Sequence, residues 1–168
     1  SNGNQLSVEP PNTSIAVGNG YILEGVNNAV MVYDLTGKPA LPKVYATNEV
    51  FGLAPAIIRS PLTFGPFPTD MRVFYDAGIN RFFILQRVHD RDTFGNDLSL
   101  SHMYLAVSQT GDPTGSYNVY VADTTDVSNP LCPCLADYPQ IGADQYGFYI
   151  SVDEYDTQVQ SFVGAVIY

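Results

Sequence analysis

The sequence predicts an all-β fold: antiparallel four-stranded sheets arranged as the blades of a β-propeller, about three of them. Three observations carry this expectation. A short phrase recurs three times, as Ala16–Leu23, Phe74–Leu85 and Gly142–Ser151, each a strand, a Gly/Asn/Asp turn and an aromatic-aliphatic strand. Ile22, Ile84 and Ile150 stand at equivalent places, at a near-constant interval along the chain. Between the copies, short runs rich in Val, Ile, Tyr and Phe alternate with turn residues, and no long amphipathic helical pattern is present.

Each element follows in order. Residues 1–12 are polar and contain prolines, and read as an N-terminal arm. Blades then fill residues 13–168, over about 13–46, 70–122 and 140–168. In the first, Ser14–Val17 and Tyr21–Val26 flank Gly18-Asn19-Gly20, a hairpin signal because Gly and Asn tolerate positive φ. Asn27-Asn28 makes the next turn, Ala29–Leu35 alternates as a half-buried strand does, and Lys43–Ala46 supplies an outer strand. Residues 47–69 hold Pro55, Pro61, Pro66 and Pro68 and read as a long loop that packs through Phe51, Leu53, Ile57, Phe64 and Phe67. The second blade comprises Met71–Tyr75, Arg81–Val88, His102–Gln109 and Tyr117–Ala122, with residues 89–100 as a polar loop insertion. A further irregular stretch, 123–139, contains Cys132 and Cys134. The third blade takes Gln140–Ala143, Phe148–Val152 and Ser161–Tyr168. A propeller closes with roughly 4–8 blades. The expectation is therefore an incomplete propeller, or part of a larger one, whose open edges more chain or a partner covers.

Composition narrows the function classes. The 168 residues suffice for one domain with a sizeable core. Charged residues make up only 14%, and the formal net charge is −10. Such a surface repels nucleic acid and anionic membranes. No stretch has the length and apolarity of a transmembrane segment. The start at Ser1, polar and without Met, is expected of a processed or trimmed chain. Asn12-Thr13-Ser14 is a glycosylation sequon, meaningful only in a eukaryotic secretory pathway.

Several stretches resemble a group of secreted bacterial β-propeller proteins, mostly of unknown function. They are Glu9–Tyr21, Val26–Asp34, Thr69–Asp76 with Arg81-Phe82-Phe83, Val107–Tyr117, and Asp137–Asp144 with Gly147–Ser151. The resemblance spans about residues 9–155 and implies a secreted or cell-surface protein. In architecture that group is similar to sialidase-like propellers. Thr110–Tyr117 is similar to the sialidase Asp-box turn, with its Gly one place late, and Asp76-Ala77-Gly78 has the Asp–Gly spacing alone. Sialidase catalysis would need an arginine triad and a Tyr–Glu pair, and Arg59, Arg72, Arg81, Arg87 and Arg91 lie in no recognisable sialidase context.

The candidate chemistry is sparse. Asp90, Asp92, Asn96 and Asp97 cluster oxygens around Gly95, as a calcium loop would, or as a solvated turn would. Asp153-Glu154-Tyr155-Asp156 would place Asp153 and Tyr155 on one face of a strand and Glu154 and Asp156 on the other, suited to glycoside hydrolysis or to a soluble strand end. Cys132-Pro133-Cys134 offers a local disulfide, half of a soft-metal site, or cysteines that pair elsewhere in a longer protein. His89 and His102 are isolated, and neither a Gly-x-Ser-x-Gly elbow nor a phosphate loop occurs. Exposed aromatics of the Pro-rich loop at 51–67 are candidates for stacking on sugars or partners. The expected function is an extracellular binding or assembly module, meeting protein or glycan partners through loops 47–69, 89–100 and 123–139. The rivals are a sialidase-like glycoside hydrolase fragment and a structural protein that self-assembles through open edges at Lys43–Ala46 or Ser161–Tyr168.

Overall fold

The computed structural model describes residues 8–158 and 160–168; most of the expected N-terminal arm, residues 1–7, lies outside the described residues. The chain is all-β, in four antiparallel sheets. The first holds β1 (Ser14–Gly18), β2 (Tyr21–Val26), β3 (Ala29–Asp34) and β4 (Tyr45–Ala46) in chain order. Asn19 and Gly20 both take positive φ, 47° and 85°, the backbone that joins two strands without fighting their twist.

The stretch after β4 corrects an expectation. In place of one long loop over 47–69, the chain forms a one-turn helix α1 (Thr47–Phe51) and a small hairpin of β5 (Ile57–Arg59) and β6 (Leu62–Phe64). The prolines punctuate these elements: Pro55 precedes β5, Pro61 sits in the hairpin turn, and Pro66 precedes the next strand.

The second sheet runs β7 (Phe67–Asp76), β8 (Arg81–Arg91), β9 (Asp97–Ser108) and β10 (Tyr117–Asp123), again a meander. Pro68 is tolerated inside β7 because that strand is the sheet's edge. The polar insertion expected at 89–100 shrinks to residues 92–96, since β8 and β9 extend through most of it. The third sheet has three strands: β11 (Cys134–Ala143), β12 (Phe148–Asp156) and β13 (Phe162–Ile167). β11 starts earlier than expected, because its register shifts between Asp137 and Gln140 and Tyr138 takes φ 48°. That bulge hides the alternation on which the sequence reading relied. The irregular stretch is therefore 124–133.

The three larger sheets stack with the second in the middle. Phe82 to Val88 of β8 are all buried, which a strand covered on both faces requires. Phe82 and Ile84 join Leu23, Val32, Met71 and Val73 in the core against the first sheet. Leu85 and Met103 point the other way, onto Ala136 and Val152 of the third. Phe83 also faces the third sheet, stacked on Phe148 with centroids 4.8 Å apart. The first strand of each sheet meets its neighbour's: β1 and β11 both pack against β7. Among the described residues, no helix is long and apolar enough to cross a membrane.

Candidate functional site

The richest polar chemistry lies where the three sheets meet, and its centre is Arg87 on β8. A guanidinium inside a seven-residue buried run cannot be left unpaired. Two backbone irregularities supply its partners. β7 shifts register between Thr69 and Met71, and Asp70 there takes φ 53°. The bulge in β11 begins at Asp137. Asp70 Oδ2 lies 2.8 Å from Arg87 Nη2, and Asp137 Oδ1 accepts from Nη1 at 2.8 Å. Burial pushes the carboxyl of Asp70 above its usual range, and Arg87 opposes that rise.

Asn27 fastens the first sheet to the same point. Its side-chain oxygen accepts from the Asp70 N–H at 3.1 Å and from Thr69 Oγ1 at 3.3 Å. Its carbonyl accepts from Gln86, its N–H donates to Pro11 O at 2.9 Å, and its side-chain amide donates to Pro10 O. Asn12 donates to Asp70. Residues 10–12, expected as part of a loose arm, are thus bound into the junction.

On its open side the junction borders a cleft of about 410 Å³ between the second and third sheets, lined by Arg87, His89, Asp97, Asp137, Tyr155 and Asp156 among others. Arg87 Nε is buried there without a hydrogen-bond partner. Burial, with the nearby Arg87 charge, lowers the His89 pKa to about 4. The imidazole is therefore neutral at pH 7, although Asp97 Oδ2 lies 3.4 Å from its Nδ1. A cleft walled by carboxylates, a neutral imidazole and a tyrosine offers hydrogen bonds to a polyhydroxylated or amide-bearing ligand.

A second cleft of about 420 Å³ lies between the first and second sheets, bordered by Leu23, Val32, Leu41, Tyr45, Ile84 and Tyr117 among others.

The four expected calcium ligands do not converge. Asp92 turns inward on its own loop, accepting from the N–H groups of Phe94 and Asn96, both at 2.9 Å, and from Asn96 Nδ2 at 2.8 Å. Asp97 Oδ1 accepts from the Ser99 N–H at 2.7 Å, and Asp90 Oδ2 lies 3.0 Å from His102 Nδ1. His89 and Asp90 are successive residues of one strand, so their side chains leave opposite faces and carry Asp97 and His102 apart. The grouping of potential metal donors found among the described residues is a different one: Cys132, Cys134 and Glu154. The two cysteines form a disulfide, which settles the alternatives left open for them.

The other expected positions are mostly structural. The Asp112 turn closes on itself, accepting from Thr114 N–H at 2.9 Å and Oγ1 at 2.7 Å, while Tyr117 donates to Pro113 O. The aromatics of the Pro-rich loop are not free for stacking. Phe51 is buried, and Phe64 and Phe67 lie under Arg91, whose guanidinium donates to Ala56 O and Gly65 O. Arg72 lies over the Tyr138 ring, and Arg81 donates to nearby carbonyls. From sequence, Asn27 reads only as a turn residue and Arg87 only as one of five arginines, and Asp70 and Asp137 carry no functional expectation. The visible signal was Gln86-Arg87 inside the otherwise apolar run Phe82–Val88.

Comparison with protein-family models and with characterised proteins finds no match. Among solved structures, the chain is similar to a protein of unknown function from Bacteroides caccae, with 12% identity and a TM-score of 0.31 over 91% of this chain. The chain spans 59% of the length of that protein.

Proposed function

We propose that this chain is a non-catalytic binding and assembly module of a secreted or cell-surface protein, contributing three consecutive blades to a β-propeller. The observation that carries the reading is apolar surface left uncovered at both ends of the sheet stack. Ile15 and Val17 project from the outer face of β1, opposite the buried Ala16. At the other end, Tyr149 and Ile167 occupy the outer face of β12 and β13. Both faces suit a further β-sheet. The packing of β1 and β11 on β7 supports the propeller form, because the first strands of neighbouring blades line a common axis. Phe94, Val127 and Leu131, exposed in the loops after β8 and β10, add apolar contact points for a protein partner.

The test is the native mass of the particle together with the denatured mass of its chain. Native multiples of the 18.3 kDa chain support sheet-to-sheet assembly of copies. A heavier denatured chain from the source organism supports further sheets on the same polypeptide. A particle that stays at 18.3 kDa at high concentration, from a source chain of that same mass, overturns the reading.

A second reading, glycan binding, is favoured by the cleft at Arg87. Its size and its carboxylate, imidazole and tyrosine lining suit one sugar residue. Calorimetric titration with a panel of mono- and disaccharides tests it, and heats no larger than dilution would exclude it.

A further inference from the structure

The disulfide at the start of β11 is poorly explained as a brace. It links Cys132 and Cys134 across one intervening residue. The stabilisation expected from a cross-link grows with the length of chain it closes, and this loop is close to the shortest possible. Cys134 is fully buried and Cys132 only half-buried, so the two sulfurs differ in access. Beside them stands Glu154 of β12. One oxygen of its carboxyl and the two sulfurs all lie within 4.8 Å of one another. Glu154 is 1% exposed, and its hydrogen-bond partner is the Tyr168 hydroxyl at 3.3 Å, a phenol that carries no positive charge. A carboxyl buried without a cation is expensive in its charged form. Burial, with the Asp126 charge adding to it, accordingly holds Glu154 above the usual carboxylate range.

We propose that Cys132–Cys134 is an exchangeable dithiol–disulfide centre, with Cys132 the sulfur attacked and Glu154 its proton donor and acceptor. This does not rest on the assembly reading above. The co-reactant is a small thiol or a protein dithiol. Its thiolate attacks Cys132 Sγ, forming a mixed disulfide, and the Cys132–Cys134 bond breaks. The electron pair of that bond passes to Cys134 Sγ, which takes the proton from Glu154. A second partner thiolate then attacks the partner's sulfur in the mixed disulfide and releases the Cys132 thiolate, which is protonated from water, as is the Glu154 carboxylate. Two partner thiols have become one disulfide, and the bridge has become two thiols. Run in reverse, Glu154 accepts the Cys134 proton as the bridge closes.

The experiment exposes the folded protein to reduced glutathione across a range of pH, quenches with an alkylating agent, and counts modified cysteines by mass while near-UV circular dichroism reports folding. The expected result is opening of the bridge in the folded protein, at a rate per glutathione thiolate that falls as pH rises and Glu154 loses its proton. Glu154→Gln should slow opening at least about tenfold and remove that fall with rising pH. Cys134→Ser should leave a Cys132 thiol that forms a mixed disulfide with oxidised glutathione. The Cys134 thiol left by Cys132→Ser should react at least about tenfold more slowly, because it is buried. Opening only upon unfolding overturns the proposal, as does a Glu154→Gln protein with the wild-type rate and pH profile. If Glu154→Gln does not fold, the wild-type profile decides: a rate per thiolate that stays flat across the whole pH range removes Glu154 from the chemistry.

Discussion

The acidic residues of this chain act chiefly in its turns. Asp34, Asp76, Asp92, Asp112 and Asp144 each accept a hydrogen bond from the N–H two residues on, closing a turn with the side chain. Asp112→Ala should therefore cost about 1–2 kcal/mol in urea unfolding, and Asp112→Asn, which keeps the acceptor, should cost much less. The buried junction is more demanding. Arg87→Met leaves Asp70 and Asp137 without their cation and should cost about 3–5 kcal/mol. With Arg87 gone, the already raised pKa of Asp70 rises further. The penalty of its charge is then felt above that folded pKa and is relieved as pH falls through it. The destabilisation of Arg87→Met should thus ease as pH falls toward the carboxylate range, and adding Asp70→Asn should recover part of the loss at neutral pH. His89 gives the opposite slope. Its folded pKa of about 4 lies below the unfolded value, so the unfolded state binds more protons between the two. The wild type should lose stability as pH falls from about 6.5 toward 4, and an NMR titration of the His89 ring should place its midpoint near the lower end.

At the scale of elements, β8 is the strand on which the stack depends. It pairs with β7 and β9 and presents one face to each neighbouring sheet. Leu85→Ala should cost about 2–5 kcal/mol, because it opens a cavity between the second and third sheets. The outermost strand β10 is the contrast. Val119, Tyr120 and Val121 are all exposed, so Val121→Lys should leave the unfolding midpoint nearly unchanged. The prolines of residues 47–69 show why that stretch reads as irregular from sequence. A proline marks where a strand stops, and the three-residue strands between the marks are too short to show a period.

For the whole molecule, charge and apolar surface oppose each other. A copy with formal charge −10 repels its like, while Ile15, Val17, Phe162 and Ile167 invite coverage. Self-association should strengthen as ionic strength rises to about 0.15 M, where the Debye length is about 8 Å. Sedimentation velocity at low and physiological salt measures this directly. Val17→Lys and Ile167→Lys should weaken the association without unfolding the chain.

A strand such as Tyr21–Val26 was legible because one of its faces lies on a core and turn residues bound it at both ends, so that alternation and turn chemistry agree. The repeated phrase also announced that the sheets are variations on one unit. The polar junction was not legible, since Asn27, Asp70, Arg87 and Asp137 come from three separate sheets and meet only when those sheets stack. Local pattern reports on neighbours along a strand, where backbone geometry fixes the spacing. Which buried charge meets which carboxylate depends on sheet packing and on two bulges, each a one-residue register shift. Only the tertiary structure decided that Asp92 closes a turn, that Cys132 and Cys134 bond to each other, and that Glu154 is buried beside them.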